Sequence, residues 1–188
     1  MYEIIWHGRG GQGVVLASEV LAEAAYLQGF KGVTSAPTFG PERRGAPLAA
    51  STRIADEPLR TFSQIEEADI AVILDESLFS VVDIWKGLKE GGIMVINSPT
   101  PPDESFLRKA VTVLWVDAAA VAREHRLTAG GAPVVNTPLL GALARGWGRV
   151  DLDNIEKGLG IKMSSSGAYA NFQAVKTAFE KTVVVTPP

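Results

Sequence analysis

The chain has 188 residues, a formal net charge of −3 at pH 7 and 46% hydrophobic residues. This size and apolar content predict one domain with a sizeable core, and the charge excludes the strong positive field typical of proteins that bind nucleic acid or acidic membranes. Because the sequence has no cysteine, it excludes disulfides, zinc–thiolate sites and iron–sulfur clusters held by this chain.

The apolar runs and the first residues indicate the cellular setting. No apolar run approaches the roughly 20 residues of a membrane-spanning helix. The first predicted strand begins almost at Met1, which leaves no room for a signal peptide. We therefore expect a soluble cytoplasmic protein in which residues 1–188 form a single domain, with neither nucleic acid nor a membrane among its partners.

The first predicted elements enclose a glycine-rich turn. Tyr2–His7 is typical of a strand, the turn is Gly8-Arg9-Gly10-Gly11-Gln12-Gly13, and Val14–Leu27 has a helical pattern. Backbone N–H groups at a helix start lack internal acceptors, and the helix dipole adds about half a positive charge there. Since glycines let a ligand approach the main chain, the turn predicts a phosphate cradle. A tight connection without a ligand is the alternative.

The glycine spacing also matches a dinucleotide-binding motif. Gly8, Gly10 and Gly13 fit G-x-G-x-x-G, which in nicotinamide sites is followed about 20 residues later by an acid that holds the ribose. Here that region is Lys31–Pro37, which contains no acid. The sequence therefore disfavours NAD, and a stand-alone Rossmann-type nucleotide-binding oxidoreductase becomes the weaker alternative.

The rest of the chain alternates strands and helices. A loop is predicted at Pro37–Pro47 because it contains three prolines and two glycines. The further predicted strands are Leu48–Ile54, Ala68–Asp75, Gly92–Asn97 and Val111–Asp117. The predicted helices are Ser77–Lys89, Ala118–His125, Thr137–Gly146, Asp153–Leu159 and Ser166–Lys181, and the tail Val183–Pro188 is a strand or an arm. This alternation predicts a three-layer α/β/α domain with a mostly parallel, Rossmann-like sheet.

Polar residues directly follow several predicted strands. Ligands of parallel α/β sheets gather at the carboxyl ends of the strands. The residues expected at that edge are the turn Gly8–Gly13, Asp75-Glu76, Asn97-Ser98 and Asp117. We expect them to share one surface, with Asp75 also capping the helix that follows it.

Three segments carry a family resemblance. Trp6–Gly13 supplies the glycine turn, Phe39–Pro47 contains a Gly-Pro-Glu-Arg-Arg-Gly run, and Asn136–Ala142 begins a helix. In this order, and across nearly the whole chain, they resemble the gamma subunit of the 2-oxoacid:acceptor oxidoreductases, such as pyruvate:ferredoxin oxidoreductase.

The resemblance implies a subunit of a larger enzyme, with alpha, beta and delta-type subunits as partners and ferredoxin or another acceptor receiving electrons. Such enzymes oxidatively decarboxylate pyruvate or a related 2-oxoacid to an acyl-coenzyme A. Thiamine diphosphate, Mg²⁺ and 4Fe–4S clusters are expected on the partner subunits, while this chain aids coenzyme A binding and assembly. The isolated chain is then expected to be inactive. A purely structural assembly subunit is the other alternative.

Within this resemblance, the cofactor-binding candidates are Gly8, Arg9, Gly10, Gly11, Gln12, Gly13, Arg43 and Arg44. An arginine can grip a phosphate or a carboxylate through two parallel hydrogen bonds, or it can form a salt bridge to another subunit. Gln12 can bond a ligand or act as a local cap. We expect no catalytic residue and no metal ligand on this chain.

Several other residues have structural interpretations. His7 is expected to bond a backbone carbonyl, with a catalytic role as the weaker alternative. His125 is expected to lie on a solvated helix face. Thr137 and the run Ser164-Ser165-Ser166 are expected to cap helices, since hydroxyl side chains accept from the first free N–H groups. Trp147 is expected to serve packing or an interface.

Overall fold

The structure, a computed structural model, describes residues 1–37, 44–61, 63–103 and 110–187. Within these ranges the strands are β1 (Tyr2–Arg9), β2 (Gly32–Pro37), β3 (Pro47–Ala55), β4 (Ala68–Ile73), β5 (Leu88–Asn97), β6 (Thr112–Val116), β7 (Thr128–Ala129), β8 (Ala132–Pro133) and β9 (Val183–Val185). The α-helices are α1 (Val14–Gln28), α2 (Ala118–Glu124), α3 (Asn136–Trp147), α4 (Leu152–Lys162) and α5 (Ser165–Lys181), and a 3₁₀ helix spans Glu76–Ser80.

Seven strands form one mixed sheet in the order β2-β3-β1-β4-β5-β6-β9, while β7 and β8 form a separate hairpin. The central strands β1, β4, β5 and β6 are parallel, and β3 and β9 run antiparallel to their neighbours. The predicted α/β class with a parallel centre is confirmed. The strands that follow β1 in sequence lie on both sides of it: β2 and β3 on one side, and β4, β5 and β6 on the other. The direction of strand order therefore reverses between β1 and β4. Open α/β sheets place ligands at such a point.

The α-helices pack on one face of the sheet, where they form the larger hydrophobic core. Side chains alternate between the faces along each strand, so Ile4 and Trp6 of β1 are fully buried beneath the helices. The Trp6 indole N–H donates to Thr52 Oγ1 at 3.0 Å, which satisfies the polar atom inside this core. Ile5 and His7 point to the opposite face.

The opposite face is covered over β4, β5 and β6 by the 3₁₀ helix and the segment after it. The predicted helix Ser77–Lys89 is wrong. Hydrogen bonds three residues apart, such as Val81 N to Leu78 O at 3.0 Å, produce short turns instead. Valine and isoleucine disfavour helix, and here Val81, Val82 and Ile84 are separated only by Asp83. Leu88 already pairs with Ala68 in the sheet, so the predicted strand Gly92–Asn97 begins four residues earlier.

Helix starts were predicted with mixed success. Ser164 caps α5 as predicted, accepting from Gly167 N at 3.3 Å. Thr137 does not cap α3, because that helix already begins at Asn136 and the Thr137 hydroxyl donates to Asn171 Oδ1 at 2.6 Å. The tail forms a strand, β9, at the edge beside β6. In the described part of the chain, no helix combines the length and the apolar character needed to cross a membrane.

Candidate functional site

The glycine turn joins β1 to α1 at the carboxyl edge of the sheet. Gly11 and Gly13 have φ angles of 93° and 75°, a region that other residues rarely adopt. A Cβ atom at Gly13 would overlap Asn136 Nδ2, and one at Gly8 would overlap Val14 Cγ2. Close packing therefore requires glycine at positions 8 and 13. At position 13 the positive φ angle is a second reason for glycine.

The start of α1 offers backbone donors that the chain does not use. Gly13 is the residue before the helix, and no side chain caps it. Nothing within the described ranges accepts from the N–H groups of Gly13, Val14 or Val15. Together with the positive end of the helix dipole, these groups can hold an anion. The turn therefore offers the backbone donors that the predicted phosphate cradle needs.

Arg9 and Gln12 have their polar atoms engaged within the chain. Arg9 donates from Nε to Asp75 Oδ2 at 3.1 Å, from Nη1 to Gly45 O at 3.0 Å and from Nη2 to Ser77 Oγ at 2.7 Å. Gln12 Oε1 accepts from the Arg9 backbone N–H at 2.6 Å, and Gln12 Nε2 donates to Asp75 Oδ2 at 3.2 Å. These contacts tie Gln12 to β1 and to Asp75, and they do not cap α1.

Asp75 carries more contacts than the predicted cap. Its Oδ1 accepts from Ser77 N at 3.0 Å, as a cap should. Burial acts to raise the pKa of Asp75, but hydrogen bonds from Ser77 and Gln12 and the charge of Arg9 together hold it below its usual value. The carboxylate is therefore ionised at neutral pH, where it joins the glycine turn to the end of β4.

Two clefts flank the glycine turn. The acidic cleft, of about 620 Å³, has Asp75, Glu76, Asp117 and Arg123 as the charged residues in the described part of its lining. The arginine cleft, of about 650 Å³, lies on the other side of the turn, and Arg44 is the one charged residue among the described residues that line it. Gly11 and Gly13 line both. The turn thus separates a negative environment from a positive one.

The acidic cleft confirms most of the predicted carboxyl edge. Gly11–Gly13, Asp75, Asn97 and Asp117 line it together, because the parallel strands that they follow end at the same side of the sheet. Ser98 is absent from the lining; it is buried, and its hydroxyl donates to the Thr100 carbonyl at 2.8 Å.

The arginine cleft is built by the segment that leads into β3. Gly10 N donates to Ala46 O at 2.9 Å, and Gly45 N donates to Gly10 O at 3.0 Å, so this segment is tied to the turn. Arg44 Nη2 donates to Gly130 O at 3.5 Å, which links the cleft to the β7–β8 hairpin. The other predicted arginine, Arg43, lies outside the described residues, as does most of the predicted loop Pro37–Pro47.

The sheet explains why the nicotinamide motif is incomplete. In dinucleotide-binding sheets the ribose-binding acid ends the parallel strand next to the first. Here the strand beside β1 is the antiparallel β3, and Pro47 lies opposite Arg9. β2, which would carry the acid, is one strand farther out and ends at Pro37.

Sequence reasoning missed Asn136 as a residue of the site. Asn136 is 2% exposed, and its Nδ2 donates to Gly13 O at 3.0 Å, 123 residues away in sequence. Only its place in the third resemblance segment drew attention to it, since a short polar residue before a helix usually indicates a cap. Asn136 instead supports the end of the glycine turn.

The histidines differ from expectation. In the described part of the chain the His7 imidazole makes no hydrogen bond, and burial lowers the pKa of His7 to about 4. His125 is only partly exposed, and its Nε2 lies 2.8 Å from Thr177 Oγ1 on α5. The prediction of a solvated face for His125 is therefore wrong. Trp147 packs as expected, edge to face against Tyr2 with ring centroids 5.2 Å apart.

Comparison with known proteins gives a consistent result. A family model described as pyruvate ferredoxin/flavodoxin oxidoreductase matches residues 3–181. The chain is 44% identical over 187 residues to the pyruvate/ketoisovalerate oxidoreductases common subunit gamma of Thermococcus litoralis, covering 98% of each chain. It is 41% identical over 181 residues to pyruvate synthase subunit PorC of Methanothermobacter marburgensis, covering 96% of this chain and 97% of that one.

A solved structure shares both the fold and the sequence pattern. The crystal structure of pyruvate oxidoreductase subunit PORC from Thermotoga maritima superimposes with a TM-score of 0.80 at 36% identity, covering 97% of both chains. The similarity therefore extends over the whole sheet and its helices and is not confined to the glycine turn.

Proposed function

The chain belongs to the pyruvate ferredoxin/flavodoxin oxidoreductase family as a gamma subunit of an oxidoreductase complex, and from this premise we propose that its glycine turn binds coenzyme A for a thiamine-diphosphate-dependent 2-oxoacid oxidation. The acyl group of the 2-oxoacid would pass to coenzyme A after decarboxylation, with ferredoxin as the electron acceptor. We propose that residues 1–188 act as a single cytoplasmic domain in this complex.

The observation that carries this proposal is the set of unused N–H groups at Gly13, Val14 and Val15. Coenzyme A is rich in phosphate, and phosphate oxygens suit donors at a helix start. Arg44 stands on one side of the turn and Asp75 on the other. Like charges repel, so we propose that the phosphates lie on the side of the arginine cleft.

The residues of the proposed site have different roles. Gly8, Gly10, Gly11 and Gly13 would let the phosphates approach the main chain, and Arg43 and Arg44 would supply positive charge. Arg9 and Gln12 would shape the turn through their internal hydrogen bonds. We propose no catalytic residue and no metal ligand here.

The other cofactors are proposed to be bound by the partner subunits. The absence of cysteine leaves no thiolate for a 4Fe–4S cluster. In the described ranges, no group of three or more His, Asp or Glu side chains is arranged to hold a metal ion. We propose that thiamine diphosphate, Mg²⁺ and the clusters are bound by alpha, beta and delta-type subunits, and that the isolated chain turns over no substrate.

The choice of 2-oxoacid is proposed to lie with the partner subunits as well. The relative from Thermococcus litoralis is named as common to pyruvate and ketoisovalerate oxidoreductases. A subunit that serves two substrates has no reason to contact the acyl group selectively. Pyruvate is the first substrate to test with this chain's own complex.

Calorimetry with coenzyme A on the assembled complex tests the proposal. Loss of a charge-assisted hydrogen bond removes about 1.5–3 kcal/mol, so Arg44→Gln should weaken binding by about tenfold or more. Arg123→Gln, which removes the arginine of the acidic cleft, is the matched control and should change affinity less than about threefold. Unchanged affinity in the Arg44 variant would contradict this site and favour the assembly role. Turnover of pyruvate by the purified chain alone would contradict the division of labour.

A further inference from the structure

We propose that Asp75 is the positioning residue of the glycine turn: acting through Arg9 and Gln12, its carboxylate fixes the direction of the unused N–H groups at the start of α1. The expected effect of Asp75 on coenzyme A binding rests on the proposed function above. Its expected effect on the conformation of the glycine turn does not depend on that function.

The contacts of Asp75 converge on both ends of the turn. Oδ2 accepts from Arg9 Nε at 3.1 Å and from Gln12 Nε2 at 3.2 Å. Arg9 ends β1, and Gln12 stands directly before Gly13. Because Gln12 Oε1 also accepts from Arg9 N at 2.6 Å, the two side chains and the carboxylate close a ring across the turn.

The same carboxylate anchors this ring to the sheet. Oδ1 accepts from Ser77 N at 3.0 Å, and Arg9 Nη2 donates to Ser77 Oγ at 2.7 Å. Asp75 follows β4, and Leu74 N donates to His7 O at 2.8 Å. The ring is therefore attached to the paired parallel strands β1 and β4, which hold it in place.

Only a carboxylate satisfies these donors. An ionised aspartate has two acceptor oxygens, whereas an asparagine has one oxygen and an NH₂ group. With its oxygen toward Ser77, an asparagine would turn its NH₂ group toward Arg9 and Gln12. Arg9 Nε and Gln12 Nε2 would then lose their acceptor in a half-buried environment. The substitution would thus loosen the turn although it changes no residue of the turn.

Asp117 provides a built-in comparison. It follows β6 as Asp75 follows β4, it lines the same acidic cleft, and it caps α2 by accepting from Ala120 N at 2.7 Å. In the described part of the chain, no hydrogen bond joins Asp117 to the glycine turn. The two aspartates share charge, cleft and capping role and differ in the contact to Arg9 and Gln12.

The test is hydrogen exchange of the hydrogen-bonded amides of Arg9, Gly10 and Gln12, measured in the assembled complex with Asp75→Asn and Asp117→Asn. We expect Asp75→Asn to speed exchange in the turn by about tenfold, and Asp117→Asn to leave it within about twofold, because local opening is governed by local contacts. Gln12→Ala combined with Asp75→Asn should add little to either single change, since both break the same ring.

Steady-state kinetics on the same complexes give the second measurement. Asp75→Asn should raise KM for coenzyme A by about tenfold with kcat little changed, because it disturbs binding geometry and not the reacting atoms. Unchanged exchange in a folded Asp75→Asn complex, or equal effects of the two aspartate variants, would overturn the positioning role. Faster exchange with an unchanged KM would support that role and contradict coenzyme A binding at the turn.

Discussion

The two edges of the central sheet both carry arginine–carboxylate ion pairs, yet they differ in what surrounds them. At the amino edge, Glu3 accepts from Arg53 Nε at 2.9 Å, and Lys89 Nζ lies 2.9 Å from Asp69. Glu3 N also donates to Asp69 Oδ2 at 2.7 Å. These groups join neighbouring strands and satisfy one another.

At the carboxyl edge, the Arg9–Asp75 pair lies beside backbone N–H groups that have no acceptor in the described part of the chain. It holds the glycine turn while the N–H groups of Gly13 and Val14 remain free within the described residues. An ion pair by itself therefore does not identify a binding site, because both edges have one. The unused backbone donors, between two clefts of opposite charge, are what distinguish the carboxyl edge.

The largest effect is expected from Gly13→Ala. The new methyl group would meet Asn136 and force a positive φ on alanine, which should lower the free energy of unfolding by about 2–4 kcal/mol. Gly29→Ala is the matched control at the other end of α1, where φ is 109° but nothing lies within 4 Å of an added Cβ. That control should cost about 1 kcal/mol in urea unfolding. Equal losses would show that packing against Asn136 has no role.

The next effect concerns His7, whose pKa is lowered to about 4 by burial. Between pH 4 and 6.5 the unfolded chain binds a proton at this residue and the folded chain does not, so stability falls as pH is lowered through this range, by up to about 3 kcal/mol. His7→Gln should remove this part of the pH dependence of urea unfolding. If the variant retains the full slope between pH 4 and 6.5, another group is responsible.

A smaller effect is expected from Arg53→Gln at the amino edge. Arg53 is 5% exposed, and its loss leaves Glu3 with the weaker Lys89 contact at 3.6 Å. The free energy of unfolding should fall by about 2 kcal/mol, while KM for coenzyme A in the complex stays unchanged. A raised KM in the Arg53 variant would show that the amino edge also influences coenzyme A binding, and would contradict a purely structural role for its ion pairs.

The smallest effect is expected from Glu124→Gln. Lys181 lowers the pKa of Glu124 through a hydrogen bond of 2.6 Å, but both side chains are about half exposed. Solvent screens such a pair. Thermal unfolding should show the same midpoint as the unchanged chain, and a clear decrease would mean that this exposed pair contributes more than surface pairs usually do.

Local chemistry explains which features the sequence could predict. The strand, glycine turn and helix of residues 2–27 form a continuous pattern of alternation, glycine and helical spacing. Asp75 and Ser164 cap because an aspartate or serine bonds N–H groups two or three residues ahead. The gamma-subunit assignment came from the family resemblance of three segments taken together, because no single segment is specific enough to indicate it.

The sequence by itself determined most of the elements, the glycine turn and the polar residues that follow the parallel strands, since these depend on neighbours along the chain. Tertiary structure alone decided that β3 runs antiparallel beside β1, that Asp75 bonds Arg9 from 66 residues away, and that Asn136 supports Gly13 from 123 residues away. Segments such as Ser77–Lys89 were mispredicted for the same reason. Strand pairing and packing are chosen by contacts between distant residues, and periodicity in one segment carries no information about them.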